Sequence, residues 1–573
     1  MNSRVGLAAA ALIGLALAAG ARSYTASDPA APAIRVDQAG YLVTARKLAM
    51  SVGSEGASAT VLLQPSRREV LTVPLGAPVN DAQSGDTLRA IDFSAVTEPG
   101  SYTIAVKGVG ESVPFRIAGD VYRDPLYLAA RAFYGQRCGM AVNLGPRFKS
   151  YAHAACHLDD AQFHASSGRS GSRHASGGWH DAGDYGKYVV NSGITTGQLL
   201  WAWEWYPKVF ETLSLDIPES TNHVPDLLDE IKWNLDWMST MQDEDGGVWP
   251  KLTSERFGSF VMPEKDDGGT RYIIGTGTEP YKSSCATADF AAVFAIAARV
   301  YRPYDAAYAD RAIAAARKAQ TWVTAHPDVL FRNPQGVSTG EYGDRRCTDE
   351  RLWAAAELFR TTGEQPFGDL AAGLAPGFHV AGTEPQSWPN VGNMGLWAYA
   401  WSTSASTALK TRVAAETATA AREVVQRTSS AAWRHSLTDR DLVWGSNAVV
   451  ANYGVLLLAA NRFAADPTAL GAALDNLHYL LGRNTFGLSW VTAVGAMPYR
   501  HPHHRPSGGD QNEEPWPGML SGGPNARGGD PVMADIPATP PARRYVDDER
   551  AYSANEMAIN WQSALVLLLA GVQ

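Results

Sequence analysis

MAINWQSALVLLLAG, residues 557–571, decides the fold. A helix with this sequence carries apolar side chains on nearly every side, so it must be buried on two faces. ATADFAAVFAIAARVY (286–301), LWAAAELFRTT (352–362) and NAVVANYGVLLLAANRF (447–463) read the same way. Such helices suit the inner ring of a double-layered helical barrel. In HVPDLLDEIKWNLDWMSTMQ (223–242), Val224, Leu227, Leu228, Ile231, Leu235 and Met238 follow a 3.6-residue period, with Pro225 where a first-turn proline belongs. Roughly a dozen helices of ordinary length fit between Tyr122 and Gln573. Strands do not alternate with helices and no short repeat recurs, which argues against a β/α barrel and against a solenoid.

Ahead of GDVYRDP (119–125) the texture differs. KLAMSV, ATVLLQ, LRAIDFSAV, GSYTIAVKG and VPFRIAG are short apolar stretches separated by Gly, Ser, Pro and Asp. That spacing predicts an antiparallel sandwich of immunoglobulin size over residues 34–118, followed by a mainly α domain over 122–573. The first 21 residues read as a signal peptide: Arg4, an apolar run from Val5 to Ala19, and a small-residue cleavage site at Ala19-Gly20-Ala21. The run is shorter than the roughly 20 residues of a membrane span, and no later stretch qualifies. The expectation is an exported, periplasmic or extracellular protein without a membrane span, and a monomer. With 573 residues, 45% hydrophobic, 19% charged and a net charge of −9, the chain is an ordinary globular protein with no basic excess for nucleic acid. Its 17 Trp and 22 Tyr suit sugar stacking, although most indoles in any protein are core residues.

Three loop clusters carry chemistry. In GGWHDAGDYGKYVV (177–190), Asp181 and Asp184 can converge on one point, or they can be ordinary acids at a helix N-terminus. In YVDDERAYSANEMAINWQSALVLL (545–568), Asp547, Asp548 and Glu556 precede the apolar helix. RHPHHRPSGG (500–509) offers His501, His503, His504 and Arg505, as metal ligands or as donors to sugar hydroxyls.

Together these clusters resemble glycoside hydrolase family 9, and the resemblance covers nearly the whole chain. WHDAGDYGK matches the family's base-bearing segment, HPHHR its first signature, and Tyr545 to Ser563 its second. DGGVWPKLT, DERLWAAAELFRTTGE, WGSNAVVANYGVLLLA, YLLGRN and GMLSGGPN support it, and IRVDQAGYL (34–42) is similar to the immunoglobulin-like module preceding one subgroup. Gln562 stands where the second signature has Asn, and Met497 where the first has Asn, Lys or Arg. The resemblance implies an (α/α)6 barrel with an open groove and an inverting hydrolysis of β-1,4-glucan. Asp184, assisted by Asp181, would activate water and Glu556 would protonate the leaving oxygen. Partial burial would raise the acid's pKa. His503, Arg505, Asp547, Tyr552 and Trp179 would serve the substrate or the acid loop.

It also implies a structural zinc on Cys138, Cys156, His157 and His180, two thiolates and two imidazoles that suit a tetrahedral ion. A Cys138–Cys156 disulfide is the alternative. Calcium is the second metal implied, with Asp349 and Glu350 as hard-oxygen candidates or simply first-turn acids. Cys285 and Cys347 are expected free and packed, and no organic cofactor is expected. Beside the endo-acting glucanase stand an exo-acting β-glucosidase or β-glucosaminidase and, more remotely, a non-catalytic glycan-binding protein. No binding module follows the barrel, which favours soluble or short substrates.

Overall fold

A computed structural model describes residues 31–573. The signal-peptide expectation for residues 1–21 lies outside them. Residues 34–117 form two sheets. One orders the strands Ile34–Arg35, Leu48–Val52, Thr87–Asp92 and Val79–Asn80; the other centres on Ser58–Gln64 paired with Arg68–Pro74 and Gly100–Val106. All these pairings are antiparallel, with Met50 opposite Ala90 and Val61 opposite Ile104. The inward positions Val61, Ile91, Phe93, Tyr102, Ile104 and Phe115 close a small core of their own. Leu48–Val52 is buried on both faces, Ala49 in this core and Leu48 and Met50 in a second cluster with Trp433.

From Arg123 onward the chain is mainly helical, with a small sheet of Gln162–Phe163, Arg271–Ile274, Lys251–Ser254 and Lys187–Tyr188 among its loops. Six helices pack side by side around the centre: Val189–Trp205, Ser284–Val300, Thr348–Thr362, Gly392–Ala400, Ser446–Phe463 and Ile559–Gly571. Six more lie outside them: Arg123–Gly135, Asp226–Thr240, Ala306–Ala325, Gln365–Leu374, Thr407–Ser430 and Pro467–Leu480. The division follows composition. Along Ser284–Val300 only Arg299 escapes full burial, whereas Ala306–Ala325 buries one face. In the helix Asp226–Thr240, Pro225 stands at the N-cap, one residue before its expected place. Among the described residues no helix is long and apolar enough to cross a membrane.

The sandwich is fastened to the barrel along one seam. Gln38 donates its backbone N–H to Leu481 O at 2.8 Å and its amide to Gly487 O at 2.8 Å, and it accepts from Met497 N at 2.7 Å. Asp37 meets His478 Nδ1 at 2.7 Å, and the buried Trp433 donates to Ser84 Oγ at 3.1 Å beside Leu48, Met50 and Leu88. Met497, one of the two departures from the signatures, thus serves the seam through its backbone. Gln562, the other, ties the last helix inward by donating to Ala129 O (2.8 Å) and Gly518 O (2.6 Å) and accepting from Leu520 N (2.9 Å).

One expectation is overturned here. Cys285 and Cys347 are not free: they form a disulfide with Cα atoms 4.7 Å apart. Cys285 opens one inner helix and Cys347 caps its neighbour, so adjacent ring positions bring together two residues remote in sequence. The bridge closes a separation of 62 residues. Replacing both cysteines by Ser is expected to cost up to about 4 kcal/mol of stability, by the loss of loop-closure entropy from the unfolded chain. Denaturant melts in the presence and absence of reductant check this: reductant should shift the wild type and leave the double variant unmoved.

Candidate active site

Backbone hydrogen bonds stitch the three loop clusters into one wall. Arg505 N and Arg505 Nη1 both donate to Gly183 O at 3.0 Å, His503 N donates to Asn555 O at 3.0 Å, and Ile559 N donates to Asp181 O at 2.9 Å. The approach is so close at Gly183 that a Cβ there would lie 2.0 Å from His503 O, which only glycine avoids. At Gly186 a Cβ would stand 2.6 Å from Asp184 Oδ2, where the Gly186 N–H instead donates at 2.8 Å.

The result is a cleft of about 800 Å³ lined by Asp181, Asp184, Glu556, His503, Arg505 and Tyr552. Asp181 is buried and accepts from Asn191 Nδ2 at 2.6 Å and from Tyr342 OH at 2.5 Å. Burial first, and then the charge of Asp184, push Asp181 up to about 8 against these two donors. Asp184 Oδ2 also accepts from Tyr188 OH at 3.3 Å. Glu556 follows the short helix Tyr552–Asn555 in extended backbone, and its carbonyl accepts from Gly522 N at 2.8 Å. Burial, reinforced by Asp184 and Asp181, raises its carboxyl well above the ordinary range. The site therefore offers a proton donor and an acidic pair in one cleft.

His503 is held neutral. Burial lowers it to about 4, and its Nδ1 lies 2.6 Å from Glu549 O, a partner only a donor satisfies. The Arg505 guanidinium donates to Gly183 O and Gly258 O and sits 5.5 Å from the Phe257 ring centroid. Tyr552 donates to Gly529 O at 3.0 Å beside Trp444. Asp547 is not in the cleft lining. It accepts from Arg500 N (2.7 Å), His501 N (2.8 Å) and Asn555 Nδ2 (2.9 Å), and so ties the His-rich loop to the residue preceding the acid. Trp179, expected at the substrate, is instead wholly buried, with its indole N–H on Glu230 Oε1 at 2.7 Å. A core indole with a buried carboxylate partner has no face left for a sugar.

Several lining residues escaped the sequence reading. Tyr342 has a positive φ of 46° in GEYGD, and Trp388, Trp444, Trp561 and Phe257 present aromatic faces to the cleft. The signals were present but faint: glycines flanking Tyr342, and Trp444-Gly445 immediately before an apolar helix.

Cys138, Cys156, His157 and His180 converge, with their four ligand atoms within 4.8 Å of one another. Cys138 Sγ lies 3.6 Å from His157 Nδ1, His157 Nδ1 lies 3.4 Å from His180 Nε2, and Cys156 Sγ lies 4.0 Å from His180 Nε2. Both thiols are buried and unbridged, so the disulfide alternative does not hold. Asp349 and Glu350 stand in the first turn of Thr348–Thr362. Burial raises both, and Glu350 keeps two buried oxygens without hydrogen bonds. Among the described residues, however, no three carboxylates converge within one ion's reach there; Glu350 gathers only the two disulfide sulfurs, which do not fit calcium.

Comparison with known proteins gives a consistent setting. Residues 122–569 match the model of glycosyl hydrolase family 9, and residues 29–111 that of the cellulase N-terminal Ig-like domain. Endoglucanase D of Acetivibrio thermocellus is 38% identical over 495 residues, covering 86% of this chain and 76% of the relative. The xyloglucan-specific endo-beta-1,4-glucanase BoGH9A of Bacteroides ovatus is 35% identical, covering 94% and 93%. Among solved structures, a Zn-binding triple mutant of the family 9 endoglucanase J30 superposes with a TM-score of 0.87 at 37% identity, covering 93% of this chain and 99% of that one.

Proposed function

Given that the chain belongs to glycosyl hydrolase family 9, we propose that it is an endo-acting β-1,4-glucanase that hydrolyses its substrate with inversion. Asp184 is the general base, Asp181 its partner, and Glu556 the general acid. The observation that carries this reading is the shared cleft, which brings Asp181, Asp184 and Glu556 together from remote parts of the chain and buries Glu556, an environment that favours the protonated acid. Asp184 draws the proton from water. That water attacks the anomeric carbon, the glycosidic C–O bond breaks, and Glu556 gives its proton to the departing oxygen. His503, Arg505 and Tyr552 bind the sugar, and Trp388, Trp444, Trp561 and Phe257 stack on pyranose faces. A cleft of about 800 Å³ lined by several aromatic residues favours a polymer over a single-sugar pocket.

Zinc on Cys138, Cys156, His157 and His180 belongs to the same proposal. Zn–S and Zn–N bonds of about 2.3 and 2.0 Å put the edges of a tetrahedron at roughly 3.3–3.8 Å; the Cys138–His157 and His157–His180 separations of 3.6 and 3.4 Å match that range, and Cys156–His180 at 4.0 Å lies just beyond it. When bound, the metal supplies rigidity. Because His180 precedes Asp181, it fixes the entry to the acidic loop. Export is also proposed, from the leader-like residues 1–21, and the Cys285–Cys347 disulfide suits an oxidising compartment.

Product analysis tests the reading. On carboxymethylcellulose the viscosity should fall well before reducing ends accumulate, and NMR of fresh products from cellopentaose should show the α-anomer first. Activity confined to cellobiose or glucosamine oligomers would replace endo by exo action. A β-anomer first would mean retention.

A further inference from the structure

Lys251 is a buried cation that the mechanism above leaves unused. It lies on the strand Lys251–Ser254, directly across from Tyr188 on Lys187–Tyr188, and is fully buried. Its neighbour Lys187 is equally buried but forms an ion pair with Asp160 at 2.9 Å. Lys251 donates only to neutral oxygens: Asn333 Oδ1 (2.9 Å), Thr339 Oγ1 (2.9 Å), Thr339 O (3.4 Å) and Gly340 O (2.7 Å). A buried ammonium without a paired carboxylate is costly, so its retention calls for a use.

The surroundings supply one. The ammonium sits 5.4 Å from the Tyr188 ring centroid, and Tyr188 OH meets Asp184 Oδ2. The carbonyls it binds, at 339 and 340, lead directly into Glu341 and Tyr342. Tyr342 packs on Tyr188 with ring centroids 4.8 Å apart and donates to Asp181. The ammonium therefore backs Tyr188 directly and holds the turn that leads to Tyr342, and these are the two tyrosines that touch the acidic pair.

We propose that Lys251 is a positioning residue for the base: it clamps the 339–342 turn and Tyr188 behind the acidic pair and supplies the nearby positive charge that favours ionised Asp184. The groups facing Asp184 are Asp181, Glu556, Tyr188, His503, Arg505 and Lys251. Those facing Lys251 are Asp184, Glu341 and Tyr188. Burial lowers Lys251 to about 7, and Asp184 and Glu341 pull it back up, so the ammonium is charged through the acidic range in which the base must ionise. A neighbouring cation favours the ionised form of a carboxyl, so removing the charge of Lys251 should weaken the base at the acid end of the profile.

The inference rests on Asp184 being the base. Lys251→Gln keeps a hydrogen-bonding end but loses the charge. It should move the acidic limb of the kcat/KM profile upward by about one pH unit and lower kcat at least tenfold with KM little changed. Lys251→Arg should restore the limb to its wild-type position. A limb that stays put in folded Lys251→Gln overturns the proposal. Should that variant not fold, the reciprocal arm decides: 13C NMR of labelled lysine should show the Lys251 midpoint lower by about one unit in Asp184→Asn, and an unmoved midpoint overturns it. Failure of the base reading itself would show separately, as near-full activity of Asp184→Asn.

Discussion

Asp184→Asn is expected to lower kcat by about 10²- to 10⁴-fold with little change in KM. The substitution is nearly isosteric, and the amide oxygen can still accept from Gly186 N–H, so the loop should keep its shape. What it loses is the ability to take a proton from water. Glu556→Gln should cost as much on cellulose oligomers for the opposite reason, having no proton to give. The two separate on an activated substrate. A dinitrophenyl cellobioside has a leaving group that departs as a stable anion, so Glu556→Gln should be largely spared there while Asp184→Asn stays crippled. The pH dependence follows from the same assignment. The acid works only while protonated, and burial raises Glu556, so activity is present below its raised pKa and falls as pH climbs through it. Removing that limb is expected of Glu556→Gln. Near-full activity of either variant on cellopentaose would strip that residue of its role.

Removal of the proposed zinc is the second large effect. Chelation is expected to release about one zinc per chain and to lower the melting temperature by on the order of 5–10 °C, with activity lost in parallel. Cys156→Ser should reproduce the loss without a chelator. The coupling to activity comes from the chain itself: His180 N donates to Gln136 O at 2.7 Å and the next residue is Asp181, so freeing the imidazole loosens the strand that presents the acidic pair. A fall in melting temperature with no zinc in the released fraction would put the four ligands to some other use.

Much of this was legible in the sequence, for reasons that differ by residue. The inner helices announced themselves because burial on all sides demands apolar side chains on all sides, as along Ile559–Gly571. Asp184, Glu556 and the converging Cys138, Cys156, His157 and His180 could be singled out only through the family resemblance, because a pair of acids or a scattered Cys/His set is a weak signal by its spacing alone. Trp179 misled because it adjoins His180 and Asp181 in sequence, yet its side chain turns to Glu230 in the core; neighbours along an extended loop face opposite ways. The Cys285–Cys347 bridge was hidden because helix ends meet through ring order, which no local pattern encodes. Tyr342 and Lys251 were missed for a related reason: each acts through a partner well over a hundred residues or some sixty residues away, Asp181 and Tyr188 respectively, and one aromatic or one basic residue carries no signature alone.

The seam at Gln38 bears on how the molecule can be handled. The barrel segment it grips, from His478 to Met497, runs straight on to His503 and Arg505, so the small domain buttresses the very chain that reaches the sugar. Cutting the protein at residue 118 would not liberate a minimal enzyme but would unmoor the segment that carries His503 and Arg505 into the cleft. The two domains should melt in a single cooperative event, and any transplant of this catalyst into another scaffold must carry its β-sandwich along.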